Sequence, residues 1–342
     1  MTVTMKKVAR RAGVSVSTVS RVLSGHPHVR EELSRKVRRT MEELGYTPNL
    51  IAKSLVSRSA RCLCILLPGP AAQMFSNLYF LELIRGIAAG AGRLGFDVVL
   101  SSGATEQEEL EAVSGLLKGG RVDGAVLLSS RTDDAVIAYL KSSGHPFVLI
   151  GRSEQYDGIL TVETNQSAAA CDATRHLISM GHERIGFIGS PPDSTAARDR
   201  LEGYRRALRE YGLECHPDWM IGDGAWKDGG AMSSFMKLPD RPTALVAADD
   251  MVSFGVIRSL GQLNYGVPGD LALVSCSNAP LPVLSVPSIS SIDTGIGQLG
   301  ETASRVLIRS IQQPHQGKPV SGRFIVGHRL IVRESSRLGL SV

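Results

Sequence analysis

Residues 8–25 read VARRAGVSVSTVSRVLSG. Val8, Ala9 and Ala12 are spaced i, i+1, i+4, the stripe of a helix that buries one face. Gly13 follows, where a tight turn between two helices needs a residue that accepts positive φ. Ser15 is placed to cap a second helix by accepting a backbone N–H. Val19, Val22 and Leu23 form the buried face of that helix, leaving Val16, Ser17, Thr18, Ser20 and Arg21 on its other faces. This is the pattern of a helix-turn-helix. Small hydroxyls and one arginine suit a helix in the major groove, where Arg reads guanine and Ser or Thr reach bases or phosphates. A third helix is expected from Glu31 to Leu44, with Leu33, Val37, Met41 and Leu44 on one stripe and Gly45 ending it. Its other faces carry Arg35, Lys36, Arg38 and Arg39. Thr47 and Pro48 read as the cap and first position of a short fourth helix, Asn49 to Val56. A helix that short does not hold alone in water, so its folding depends on a partner surface such as DNA or another subunit.

The charge supports a nucleic-acid-binding head. Residues 1–61 hold 13 basic and 4 acidic side chains, a net of +9, whereas the remainder holds 25 basic and 29 acidic ones, a net of −4. A basic module ahead of a mildly acidic body is the electrostatic footprint of a head that sits on phosphate. At 342 residues the chain is long enough for two or three domains and a sizeable core. Its hydrophobic content of 43% is too high for a disordered chain. No apolar run approaches the ~20 residues that span a bilayer, and the basic N-terminus has no apolar signal segment. Five cysteines without framework spacing suit a reducing cytoplasm.

After Arg61 the pattern changes. CLCILLP, residues 62–68, is an apolar run closed by proline and reads as a buried parallel strand. Strand-like runs DVVLSS, GAVLLSS, PFVLIG, RIGFIGS, ALVAADD and LALVSC then alternate with helical stretches. Alternation on this scale means doubly wound α/β, twice over.

The first stretch, together with EELGYTPNLIAKSLVS at residues 42–57, resembles the head and hinge of LacI/GalR-family bacterial transcriptional regulators. The resemblance runs on through GRVDGAVLL, HLISMGHERIGFIGS, RLEGYRRAL, TALVAADDMVSFGVIRSL, GVPGDLALVS and HRLIVRES, and covers essentially the whole chain. PFVLIGRS and SIDTGIGQLGE look most like the maltose- and maltodextrin-operon repressors of Gram-positive bacteria. The resemblance implies an all-α helix-turn-helix head over residues 1–46 and a hinge helix and linker over 47–60. A two-lobed periplasmic-binding-protein-like α/β core with parallel sheets would follow over 61–342. Its N-subdomain would take about 61–160 and 291–321, and its C-subdomain about 161–290 and 322–342, with crossings near Leu160, Ser290 and Ser321. It implies that Val16 and Ser17 read bases, that Thr18 and Ser20 contact phosphates and that Arg21 contacts base or backbone. Tyr46 and Asn49 match backbone-contacting positions. Leu55 matches a hinge leucine that wedges into the minor groove at the operator centre, with Lys53 beside it. Where the family places a capping Ser or Thr before the third helix, this chain has Arg30.

For the core, the resemblance implies an effector cleft at strand carboxyl ends, lined by Tyr79, Phe80, Arg200, Trp226 and Asp249. Aromatic rings with a carboxylate and a guanidinium around them are the chemistry of sugar binding. Two departures bear on it. Ser277 and Gly151 stand where the family commonly has acids, so the site uses Asp249 and Asn278 instead, accepts a different ligand, or is weakened.

Several local patterns have plainer readings. Gly295, Gly297 and Gly300 spell GxGxxG, but no acid lies between Glu301 and Glu334 to support a dinucleotide site, so a Gly-rich crossover into a helix is expected. Cys62 and Cys64 read as buried thiols, and His26 and His28 as loop residues of the head. Asn165-Gln-Ser167 matches a glycosylation acceptor without a secretion signal. No catalytic constellation is found, so no enzyme, cofactor or metal is expected. The expectation is a cytoplasmic homodimeric repressor, bound to pseudopalindromic double-stranded operator DNA and controlled by a small carbohydrate that either induces or corepresses. The alternatives are control by a protein partner, or a sugar-active enzyme with a DNA-binding accessory.

Overall fold

The computed structural model describes residues 3–23, 28–46, 59–75, 77–128, 131, 133–189, 194–222, 224, 230–280, 282–313 and 321–337. The chain divides into two compact units, Met1–Ala60 and Arg61–Val342.

The first unit holds α1 (Met5–Ala12), α2 (Val16–Leu23) and α3 (Glu31–Leu44). Gly13 ends α1 in the left-handed conformation at φ +67°, as the turn requires. The Ser15 hydroxyl oxygen accepts the Thr18 N–H at 3.1 Å and caps α2. Val8, Ala9, Ala12, Val19, Val22 and Val37 make a small core, with Met41, Leu44 and Tyr46 packed against it. Arg30 makes no side-chain cap to α3. Glu31 and Glu32 in its first turn suit the positive end of the helix dipole. The expected hinge helix and its residues Asn49, Lys53 and Leu55 lie outside the described residues.

The second unit carries two six-stranded sheets. Its strands are β1 (Cys62–Leu67), β2 (Asp97–Ser102), β3 (Gly124–Leu127), β4 (Phe147–Ile150), β5 (Leu160–Glu163), β6 (Ile185–Gly189), β7 (Met220–Gly222), β8 (Ala244–Ala247), β9 (Ala272–Ser275), β10 (Ser290–Asp293), β11 (Gly322–Ile325) and β12 (Arg329–Ile331). Sheet one runs β11-β5-β4-β3-β1-β2 and is parallel throughout; sheet two runs β12-β10-β9-β8-β6-β7, with only β12 antiparallel. Helices between the strands are α4 (Ala71–Phe75), α5 (Leu78–Arg93), α6 (Glu106–Lys118), α7 (Ala135–Ser143), α8 (Gln166–Ser179), α9 (Thr195–Glu210), α10 (Gly230–Met236), α11 (Asp250–Gln262) and α12 (Ile296–Gln312). All six residues of β1 are buried, as an apolar central strand demands.

The chain crosses between lobes after β5, after β10 and after β11. Each crossing falls a few residues beyond the expected Leu160, Ser290 and Ser321, because each strand first completes its ladder in the sheet that it leaves. So β10 belongs to sheet two and β11 to sheet one, the reverse of the expected subdomain boundaries at those strands. The crossings are stitched together. The Thr164 hydroxyl donates to the Thr294 carbonyl at 3.1 Å, the Val326 N–H donates to the Glu163 carbonyl at 2.8 Å, and Glu163 pairs with Arg323.

The GxGxxG run is a packing device. A Cβ at Gly300 would lie 2.4 Å from the Leu83 carbonyl oxygen, and one at Gly86 would lie 2.2 Å from the Gly297 carbonyl oxygen. The glycines therefore let α12 lie against α5 at backbone contact, where a methyl group has no room. Cys64 is a buried thiol whose pKa burial pushes up to about 12. Asn165 caps α8 by accepting the Ala168 N–H at 2.9 Å. Replacing Gly86 by Ala is expected to lower stability by about 1–3 kcal/mol through overpacking. Gly261→Ala, where a Cβ meets nothing within 4 Å, is expected to raise it by up to ~1 kcal/mol through helix propensity. Urea unfolding midpoints of the two variants check both signs.

Candidate functional site

In the head, α2 presents Val16 at 40% exposure, with Ser17 and Arg21 also exposed and Thr18 and Ser20 half-buried. The Ser15 hydroxyl lies 2.8 Å from both the Ser17 and the Thr18 hydroxyl, so the start of the helix is an organised cluster of small polar groups. The same unit exposes Arg10, Arg11, Arg35, Lys36, Arg38 and Arg39. Arg39 pairs with Glu43 at 3.1 Å, and Arg35 lies 3.9 Å from Glu31. Tyr46 is half-buried with its ring against the head core. The unit therefore brings Val16, Ser17, Thr18, Ser20 and Arg21 together on one short helix.

In the core, a cavity of about 210 Å³ lies between the lobes, where the carboxyl ends of the strands of both sheets meet. Tyr79, Phe80, Arg200 and Asp249 all line it. Trp226 lies outside the described residues. Tyr79 and Phe80 open α5, and their rings meet edge to face at 5.5 Å between centroids. Asn77 fixes that start by accepting the Tyr79 N–H at 3.0 Å. Burial pushes the Tyr79 hydroxyl pKa up, partly offset by the positive charge of Arg200. Arg200 Nε donates to Gln166 Oε1 at 2.9 Å, which aims the guanidinium. Asp249 caps α11 by accepting the Val252 N–H at 2.9 Å. Helices α5, α8, α9 and α11 all begin at this cavity, and their positive ends favour an oxygen-rich ligand.

Ser277 and Gly151 also face the cavity, so neither position offers a carboxylate there. Asn278 does not replace them. Its Oδ1 accepts from Arg333 Nη2 at 2.9 Å, and the residue lines a separate cavity beside α5 and α12.

Three residues that the sequence reading passed over shape the site. Arg152 and Asp199 line it from opposite lobes and pair bidentately, at 2.6 and 2.8 Å. The two stand 47 residues apart, and only the packing of the lobes joins them. The third is Asp250, beside Asp249. It is 3% exposed, accepting the Ser275 hydroxyl at 2.7 Å and the Ala279 N–H at 2.6 Å, and so anchors the segment that carries Ser277. Burial raises its pKa from 3.8 to about 6, against the lowering effect of those hydrogen bonds. Among the described residues, no three His, Cys, Asp or Glu side chains come together as metal ligands would.

A helix-turn-helix head in one chain with a two-lobed α/β core, whose cavity sits at the strand carboxyl ends, is the build of a ligand-responsive DNA-binding regulator. Residues 4–49 match the family described as bacterial regulatory proteins, lacI family, and residues 174–336 match the periplasmic binding protein-like domain. Catabolite control protein A of Priestia megaterium is 31% identical over 98% of this chain and 100% of its own length. The regulator MalR of Streptococcus pneumoniae is 29% identical over 97% of this chain and 99% of its own. The solved complex of the transcriptional regulator CelR with cellobiose superposes with a TM-score of 0.73 at 30% identity, covering 97% of this chain and 99% of that one. The chain belongs to the LacI family of bacterial transcriptional regulators.

Asp250 yields a pH prediction. Its folded-state pKa is raised, so its stabilising share is whole below about pH 4 and is lost as pH rises through about 6. The shift corresponds to roughly 3 kcal/mol. Asn keeps an acceptor for the Ala279 N–H and does not ionise. Asp250→Asn is therefore expected to lose less stability than the parent between pH 4.5 and 7.5, measured as urea midpoints; parallel pH profiles would contradict the assignment.

Proposed function

We propose that this regulator represses a carbohydrate-utilisation operon, and that a small sugar in the interlobe cavity sets its affinity for operator DNA. The observation that carries the reading is the convergence of Tyr79, Phe80, Arg200 and Asp249 on one cavity. Aromatic faces stack on the C–H faces of a sugar ring, while the guanidinium and the carboxylate take its hydroxyls. Maltose or a short maltodextrin is the favoured effector. The likeness to the cellobiose complex of CelR supports a glucose-built ligand.

On this reading the protein acts in the cytoplasm as a homodimer, since one head offers a single recognition helix and a pseudopalindrome needs two. Val16 and Ser17 read bases. Thr18, Ser20, Arg21, Tyr46 and Asn49 hold backbone and neighbouring bases. Leu55 wedges into the minor groove with Lys53 beside it, so that bendable operator centres are preferred. Sugar-linked closure of the core moves the hinge segments and changes operator affinity through a coupling of about 1–3 kcal/mol. Release of DNA on sugar addition is the favoured sign.

Calorimetry with maltose, maltotriose, cellobiose and ribose tests the effector. Heat with maltose or maltotriose supports the reading, and no heat with any of the four favours control by a protein partner. A second variant tests the head. Leu55→Gly is expected to weaken operator binding roughly tenfold or more, because the wedge offsets the unstacking that it causes. Sugar binding by the core should be unchanged. Unaltered operator affinity would remove the wedge assignment.

A further inference from the structure

Beyond the three crossings, the lobes are joined at one rim of the cavity by a chain of charges. Arg152, after β4 in the first lobe, donates from Nε to Asp199 Oδ2 at 2.8 Å and from Nη2 to Asp199 Oδ1 at 2.6 Å. Asp199 lies on α9 of the second lobe. Glu154, from the first lobe, accepts from Arg152 Nη2 at 3.0 Å and from Arg198 Nη2 on α9 at 2.8 Å. The Thr195 hydroxyl donates to the Arg152 carbonyl at 3.2 Å, and Arg131, after β3, makes an isolated antiparallel bridge with Ser194. Arg131 is itself braced, pairing bidentately at 2.7 and 2.8 Å with the buried Glu109, which accepts the Gly69 N–H at 2.6 Å.

The strand order says where this rim lies. The crossings leave β5 and β11 at one edge of sheet one and use β10 and β12 at one edge of sheet two. The rim contacts follow β3 and β4, further in, and β6, which is next to the opposite edge of sheet two. On the first lobe they begin one strand in from the crossing strand β5, and on the second they reach α9, which follows a strand on the far side of sheet two from β10 and β12. A rotation about the crossings that draws α9 away from the loop after β4 parts Arg152 from Asp199. A planar guanidinium gripping both carboxylate oxygens is strongly directional, and a rotation of the lobes disrupts it. The side chains of Arg152 and Asp199 are 30% and 23% exposed, shielded enough for the pair to matter and wet enough for salt to act on it.

We propose that Arg152, Glu154, Arg198 and Asp199 form an ionic latch across the cleft that holds the lobes closed and sets how long a ligand stays in the cavity. The latch stands on interlobe geometry alone, and only its effect on ligand residence rests on the cavity being the effector site. Glu154 and Arg198 do not line the cavity, so substitutions there act on closure without touching a ligand. They are positioning residues in this sense.

The test uses the full chain carrying Cys215→Ser, with spin labels at Glu111→Cys on α6 and Asp240→Cys after α10, diluted into an excess of unlabelled chain. Electron–electron distance distributions are recorded for the parent, for Glu154→Gln, and for Glu154→Gln with Asp199→Asn. A growing long-distance population along that series is expected, with the closed-to-open ratio falling about fivefold per lost interlobe ion pair. Raising NaCl from 0.05 to 0.5 M should shift the parent in the same direction. Superimposable distributions in all three proteins would overturn the latch, whether or not any sugar binds. Glu154→Gln is half-exposed and serves if the double variant does not fold. With maltose as probe, Glu154→Gln is expected to speed dissociation about fivefold. If maltose does not bind the parent, the effector reading fails and the label distances still decide the latch.

Discussion

The core depends on the stitched crossings between its lobes. Thr164 reaches the Thr294 carbonyl, the Glu163 carbonyl accepts the Val326 N–H, and the Glu163 side chain pairs with Arg323. Three strands that would otherwise end independently thus turn together from one sheet to the other. That constraint places the cavity at the strand ends that face across the crossings. The aromatic pair at the start of α5 comes from one lobe and Arg200 and Asp249 from the other, so the cavity is built from both lobes. The glycine contact between α12 and α5 ties the second crossing to the body of the first lobe. α5 carries Tyr79 and Phe80 at its first turn, and α12 starts directly after the second crossing.

Much of this was legible in the residues. The turn at Gly13, the Ser15 cap, the stripe of α3 and its end at Gly45 follow from local backbone rules, and those rules operate on nearest neighbours. The buried strand at residues 62–67 was legible for the same reason: an uninterrupted apolar run has few other places to go. The crossings were read a few residues early, because apolar pattern marks where a strand begins and its partner strand decides where it leaves. Tyr79, Phe80, Arg200 and Asp249 were reached through family resemblance; no spacing in the chain says that they share a cavity.

What stayed hidden was chiefly interlobe and buried. Arg152 and Asp199 look like two more charges on a polar surface until the lobes are packed. Asp250 looks like a second helix-start acid, but burial and the two hydrogen bonds that it accepts turn it into an anchor. The suggestion that Asn278 takes over from the acid missing at Ser277 failed for a related reason: Arg333, 55 residues away, claims its oxygen. The GxGxxG run shows the converse, a familiar string whose glycines answer to a neighbouring helix.

On the proposed function, the cavity and the DNA-binding head are two ends of one equilibrium. Its most direct test is fluorescence anisotropy of the full chain on operator DNA from its own promoter region, titrated with maltose, for the parent and for Arg200→Ala. In the parent, saturating sugar should change operator affinity by about 5–150-fold. In Arg200→Ala, operator affinity without sugar should match the parent and the response to sugar should be lost. A parent whose operator affinity ignores a sugar that its core demonstrably binds, or a variant that responds as fully as the parent, would contradict it.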